Sequence, residues 1–562
     1  MNNENEQLFR SMLGMSDKPK SKVSPVNKSP DFGGKFDFMG AVKETLNEIP
    51  YNVSVTENGA IGYKTTGHPL LYINFAASSL RNKSDREIVD MFEKAYYDTP
   101  LDSILWLFYL RDIRGGMGER RSFRIILKHM ADNHPEVIAG VIPYIAEYGR
   151  YDDMWVLLET NFRKPALELI KEQIVSDLNG VKENKSISLL GKWLPSRCSK
   201  NPKNKKYVNI ICEGLGIAPY TYQKITSTLR KHLKIVECDM SAGRWSVIDY
   251  NKVPARANLR YNKAFLKHDE ERRRGYLEAL ENHEEGVKIN AGTLFPHDIV
   301  HKYMVSQSYW DRKCRDLDQT LEELWKALPD EAGDAGTMIV SDGSGSMWQN
   351  VDKNASYGSL QAWEACAALT IYFAERATGV YKNTFITFGS HPQYVNITSC
   401  KTLRNKISCL LKYEDCSSTN VEAVFDMILK TAVTNRLTQE QLPGTVLILS
   451  DMEFDNPRAC EPRLDSTLFG HIAKKYEAAG YKMPKLAFWN LCSRTGTIPV
   501  KENENGLVLV SGFSPAVMKM VMSGKLDPFE SMLDALYVER YRPIYEAVKD
   551  IHTGSREMEE QA

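Results

Sequence analysis

The spacing of apolar residues changes character near residue 330, and that change restricts the chain to a small set of architectures. Before it, apolar side chains recur at intervals of three and four, in stretches such as Glu87 to Ala95, Leu101 to Leu110, Ser122 to Met130 and Pro135 to Tyr148. This is the period of amphipathic helices. After it, short buried-type runs alternate with helical segments. Strands are predicted at Thr337 to Ser341, Asn383 to Phe388, Thr445 to Ser450, Lys485 to Asn490 and Leu507 to Val510, and helices at Ser359 to Arg376, Val421 to Val433 and Leu468 to Ala479. Such alternation predicts a parallel, doubly wound sheet, with its loops gathered at the strand carboxyl ends. The expected class is α + α/β: a solenoid or bundle of helices over residues 36–330, then an α/β domain over 331–562. Residues 1–35, which include Lys18-Pro19-Lys20-Ser21-Lys22, read as a disordered basic arm.

At 562 residues the chain exceeds one ordinary core. Lys+Arg and Asp+Glu both total 72, so any attraction to nucleic acid or an anionic surface has to be local. No apolar run is long enough to span a bilayer, and the polar start lacks a signal peptide's apolar core. Ten cysteines without a C-x-x-C pair suit small core residues in a reducing compartment. Cytoplasmic residence and no membrane contact are the expectations.

The most chemically specific stretch is Thr337-Met338-Ile339-Val340-Ser341-Asp342-Gly343-Ser344-Gly345-Ser346-Met347. A buried strand breaks into oxygen-bearing side chains at alternate positions, and the glycines permit a turn that aims Asp342, Ser344 and Ser346 at one point. One carboxylate and two hydroxyls suit a hard cation such as Mg²⁺, with Mn²⁺ or Ca²⁺ as substitutes, better than Zn²⁺. A glycine-serine linker would not be framed by a buried strand and an amphipathic helix. No Gly-Lys-Ser/Thr closes the segment, so it is not a nucleotide phosphate loop.

This D-x-S-x-S pattern resembles the metal-ion-dependent adhesion site of von Willebrand factor A domains. The resemblance implies two further ligands. A Thr from a second loop maps onto Thr419, and an Asp after a later buried strand maps onto Asp451. The family loop carries glycines before its Thr, where this chain has Ser417 and Ser418.

In the helical half, Arg111, Arg114, Arg120 and Arg121 surround the glycine-rich turn Gly115-Gly116-Met117-Gly118. Two readings are open: a phosphate grip, or a tight turn whose arginines pair with Asp112 and Glu119. With Tyr148-Gly149-Arg150-Tyr151-Asp152-Asp153-Met154-Trp155, this segment resembles the HEAT-like helical repeat domain of the Ro autoantigen family, whose members also end in a von Willebrand A domain. Trp245 to Pro254, Lys267-His268-Asp269, Phe295-Pro296-His297, Phe488-Trp489-Asn490-Leu491 and Val510-Ser511-Gly512-Phe513-Ser514 are closer to a Ro-like family of phages and plants. For the Ro branch, the resemblance implies binding of small structured and misfolded RNAs.

Local charge supports an RNA role. Between Lys182 and Lys206 stand Lys185, Lys192, Arg197, Lys200, Lys203 and Lys205, with Glu183 as the one acid. Trp193 and Tyr207 are interleaved with them, and such mixtures neutralise phosphates and stack unpaired bases. His297 and His301 share a helical face at a spacing that can bind zinc, but no third ligand or H-e-x-x-H pattern accompanies them, so packing or capping is the reading preferred.

No nucleophile elbow or divided carboxylate pair appears. The expectation is a non-catalytic RNA-binding protein with a divalent-cation site that contacts RNA or a protein partner. Its rivals are a metal-dependent scaffold for acidic partner residues and a metal-assisted nuclease. The nuclease is disfavoured because two-metal chemistry needs more clustered carboxylates.

Overall fold

A computed structural model describes residues 53–58, 61–64, 66–306, 312–332, 336–355, 358–389, 391–413, 419–454, 468–496, 507–522 and 527–559. The arm assigned to residues 1–35 lies outside these, as do Ser417 and Ser418. Among the described residues no helix is long and apolar enough to cross a membrane.

Two short antiparallel hairpins come first in chain order, β1 (Val53–Val55) with β2 (Ile61–Tyr63) and β3 (Met304–Ser306) with β4 (Arg312–Cys314). The main sheet contains β5 (Thr337–Asp342), β6 (Thr384–Phe388), β7 (Gln393–Asn396), β8 (Thr445–Ser450), β9 (Lys485–Asn490) and β10 (Leu507–Ser511), in the spatial order β10-β9-β8-β5-β6-β7. All neighbours are parallel except β6 and β7. The antiparallel edge strand β7 was not predicted. It alternates half-buried and exposed positions with one buried valine, so it lacks the continuous apolar run that marks β8 and β10 as strands covered on both faces.

From β5 the chain moves outward to β6, whereas from β8 it moves the opposite way to β9 and β10. The order therefore reverses between β5 and β8, where the carboxyl ends of adjacent strands leave a crevice. Asp342 and Asp451 lie there, at the ends of β5 and β8. The helix Ala362–Arg376 covers the sheet and is itself covered by the helix Pro296–Tyr303, so it is buried on all sides from Ala362 to Ala374.

The helical half begins with Pro69–Phe75, Asp85–Asp98, Pro100–Arg111 and Arg121–Asn133. Ser84 starts the second of these with a reciprocal cap: its Oγ accepts from the Glu87 N–H, and the Glu87 carboxylate accepts from the Ser84 N–H. The single helix expected from Pro135 to Tyr148 is broken into Pro135–Val141, a 3-10 turn Ile142–Tyr144 and Ile145–Tyr148. Pro143 lacks the N–H that an uninterrupted helix would use there.

The two halves are not separate in space. The C-terminal helix Arg542–Glu559 returns to pack on Pro100–Arg111 and Pro135–Val141, which explains why Pro100–Arg111 is buried from Ser103 onward despite having no polar face. One continuous apolar core runs from Leu70 to Val548, and a small satellite core surrounds Tyr250 and Phe265.

Candidate functional site

Four of the five proposed cation ligands are linked to one another at the β5/β8 crevice. Asp342 Oδ1 accepts the Ser344 N–H at 2.9 Å, and its Oδ2 accepts the Ser450 hydroxyl at 2.5 Å. Ser344 Oγ lies 3.0 Å from Ser346 Oγ, and the Ser346 hydroxyl bonds the Asp451 carboxylate. Asp451 Oδ1 also accepts the Glu453 N–H at 3.2 Å. Thr419 joins this group through Asn58, whose Nδ2 donates to Thr419 Oγ1 at 3.2 Å and to the Glu453 carbonyl at 2.6 Å. Met452, between the two acids, has a φ of 65°, a strained value for a side chain of this size that is favoured at sites built for function.

Burial raises the pKa of Asp342, and repulsion from Asp451 raises it further. Burial also raises the pKa of Asp451. Arg494 opposes that shift, while Glu453 reinforces it. Arg494 Nη1 reaches Asp451 Oδ2 at 2.9 Å and is, among the described residues, the cation paired with that carboxylate. Among the described residues no three His, Cys, Asp or Glu side chains form a ligand set. The donors are thus two carboxylates supplemented by hydroxyls, and that oxygen chemistry fits Mg²⁺ or a related hard ion.

Sequence reasoning missed Ser450, Glu453, Arg494, Glu57 and Asn58. Glu453 had a readable signal, an acid two residues beyond Asp451. Its carboxylate accepts the backbone N–H groups of Glu57, Arg494 and Thr495 at 2.8 to 2.9 Å. Arg494 and Asn58 carried none, because each arrives from a segment remote from the motif.

The basic residues fall into different classes. Arg111 is not available to a ligand: it is 3% exposed and its Nε and Nη2 hold Asp153 at 2.8 and 2.7 Å. The glycine-rich turn is likewise not a phosphate grip, since Asp112 already fills it, accepting the N–H groups of Arg114 and Gly115 and both the Arg540 fork and the Tyr541 hydroxyl. Nor do the turn's own arginines neutralise its acids, because Glu119 pairs with Arg81. Arg114 is exposed. Arg121 bonds the carbonyls of Leu80 and Lys83 and the carboxylate of Asp85.

Arg120 and Arg121 nevertheless meet the second basic segment across space. Together with Arg124 and Lys128 they line an open cleft of about 1000 Å³, which Trp193, Lys203 and Tyr207 also line. Asp85, Asp132, Asp152 and Glu159 moderate its charge. Arg120 makes no ion pair among the described residues, and burial and then its neighbour Arg124 hold its pKa below the usual value. The Arg150 guanidinium stacks 4.1 Å from the Trp193 ring centre, with Lys192 at 5.7 Å. Arg197 donates to Gln223 and Lys206 pairs with Glu159. Lys200 and Lys205 are exposed on the same segment.

His297 and His301 do not converge. The His297 ring packs on Phe513 and Phe295, whereas His301 Nδ1 lies 2.7 Å from Glu364.

Comparison with known proteins divides the chain where its architecture changes. A domain of unknown function, DUF2828, matches residues 166–338, and a second, DUF7788, matches residues 336–552. Over 535 residues the chain is 29% identical to "Uncharacterized protein L728" of Acanthamoeba polyphaga mimivirus, covering 88% of this chain and 89% of that protein. Among solved structures, the Deinococcus radiodurans RO (RSR) protein aligns over 78% of this chain and 93% of its own, with a TM-score of 0.42 and 14% identity.

Proposed function

We propose that this chain is a non-catalytic RNA-binding protein of Ro type, whose α/β half is a von Willebrand A domain with a divalent-cation site. The observation that carries the reading is the cleft. Segments about 80 residues apart in sequence bring cations and an aromatic ring to one cleft, and the exposed Arg120 has neighbouring arginines but makes no ion pair among the described residues, an arrangement suited to an incoming phosphate. Exposed Arg197, Lys200, Lys203 and Lys205 extend the positive surface from its rim. Single-stranded or loop RNA fits this combination better than a duplex, because unpaired bases can stack beside Trp193. At the sheet edge, Asp342, Ser344, Ser346, Thr419 and Asp451 would hold Mg²⁺, which supplies positive charge for an oxyanion of RNA or of a partner.

The test is binding of a fluorescent single-stranded oligoribonucleotide by the full chain across a salt series. Changing Lys192, Arg197, Lys203 and Lys206 together to Ala is expected to flatten the slope of log affinity against log salt by about 0.7 per lost phosphate contact. An unchanged slope, or no RNA bound at low salt, would remove the RNA reading in favour of a cation-dependent protein scaffold.

A further inference from the structure

The oxygen site is largely buried. Asp342 and Asp451 are 0% exposed and Ser344 and Thr419 1%, while Ser346 is half-buried, so a cation held there has little open face for an outside ligand unless something moves. Three consecutive residues from the opposite end of the chain lie against the site. Thr56 Oγ1 donates to the Phe454 carbonyl at 2.5 Å, the Glu57 N–H donates to Glu453 Oε2 at 2.9 Å, and Asn58 Nδ2 reaches Thr419 Oγ1 and the Glu453 carbonyl. The Glu57 carboxylate also accepts from Arg494 Nε at 2.7 Å and pairs with Nη2 at 2.5 Å. Glu57 and Asn58 are themselves exposed, which puts them on the outer side of the buried Thr419 and Asp451 oxygens.

We infer that Thr56–Asn58 form a strap closed over the oxygen site, latched by Glu57 to Arg494, and that Arg494 supplies positive charge to Asp451 while the strap is shut. The covering role stands on these contacts alone; the charge role rests on the cation reading above. The physical logic is competition. A divalent ion and a guanidinium cannot both sit against Asp451 without repelling each other, so loading the ion weakens the Arg494 contact, and an Arg494 that leaves Asp451 strains the latch to Glu57. By linkage, opening the strap must favour the ion to the same extent. With the strap open, the Arg494 fork faces whatever replaces Glu57, and a planar fork selects a carboxylate or phosphate oxyanion. The strap thus reserves the site for ligands able to displace an internal carboxylate.

Two measurements on the full chain test this. In hydrogen–deuterium exchange, the double variant Glu57→Gln/Asn58→Ala, altered only at exposed positions, is expected to exchange at least threefold faster in peptides spanning 342–347 and 419–424, with the helix Arg121–Asn133 unchanged. Equal exchange would overturn the strap. In Mn²⁺ titrations followed by electron paramagnetic resonance, Arg494→Gln is expected to bind at least threefold more tightly than the parent. Equal or weaker binding overturns the charge role of Arg494. If neither form binds Mn²⁺, the cation reading and the role of Arg494 both fall, while the exchange result still decides the cover.

Discussion

At the scale of single residues, His297 shows how a motif-like spacing can serve packing. Its Nδ1 is buried without a hydrogen-bond partner among the described residues. Burial, together with Arg81 and Arg256 and against the opposing pull of Asp298, lowers its pKa to about 4. Because the unfolded chain titrates near 6.5, the neutral ring contributes its full stability above that pH and loses it as pH falls toward 4. The loss is at most about 3 kcal/mol. His297→Phe is therefore expected to shrink the fall in Tm between pH 7 and pH 4.5, measured by circular dichroism. Asp342 carries a different expectation. If it ligates Mg²⁺, adding the ion at one hundred times its Kd should stabilise the parent by about 2.7 kcal/mol, whereas Asp342→Asn should leave melting in Mg²⁺ and in chelator nearly equal. A parent whose melting ignores Mg²⁺ would count against the site. The motif residues Asp342, Ser344 and Ser346 were legible because their spacing is local. Arg111 was misread because nothing in its neighbourhood announces that Asp153, in a later element, buries it.

At the scale of elements, the glycine-rich turn illustrates how far a local reading reaches. Its glycines are required, but by close packing and not by a ligand. A Cβ on Gly116 would meet the Tyr109 carbonyl oxygen at 2.0 Å, and one on Gly115 would meet Arg540 Cδ at 2.8 Å. Gly116→Ala is expected to destabilise the protein by about 2–4 kcal/mol in urea melts, since backbone must shift to accept it. The turn is a socket for the segment preceding the C-terminal helix. Asp112 is 0% exposed and takes two charge-assisted bonds from Arg540, a pairing across more than 400 residues that no periodicity encodes. The buried strands β5, β8, β9 and β10 and their helices were legible because each is a short apolar run of one period. The edge strand β7 and the break at Pro143 were not, the first for lack of a strong pattern and the second because apolar spacing continues through the proline.

At the scale of the whole molecule, the boundary near residue 330 divides the chain in sequence but not the fold in space. The helix Arg542–Glu559 completes the core of the helical half, so a fragment of residues 36–330 would expose the face of Pro100–Arg111 and leave Asp112 without Arg540. Such a fragment is expected to bind a hydrophobic dye and to melt without a cooperative transition, while the full chain does neither; a fragment with a sharp melt would show the C-terminal helix to be dispensable. What the sequence determined by itself was the class of each half, the turn carrying Asp342, Ser344 and Ser346, and the presence of clustered cations, because these follow from periodicity and composition over a few residues. Only the tertiary structure decided that Asp342 meets Asp451 at the reversal of strand order, that Arg120 and Trp193 share a cleft, and that Asn58 bonds Thr419 while Glu57 pairs with Arg494 beside the oxygen site. Each depends on the packing of segments tens to hundreds of residues apart, and burial, which local sequence does not encode, settled which charges face solvent and which face one another.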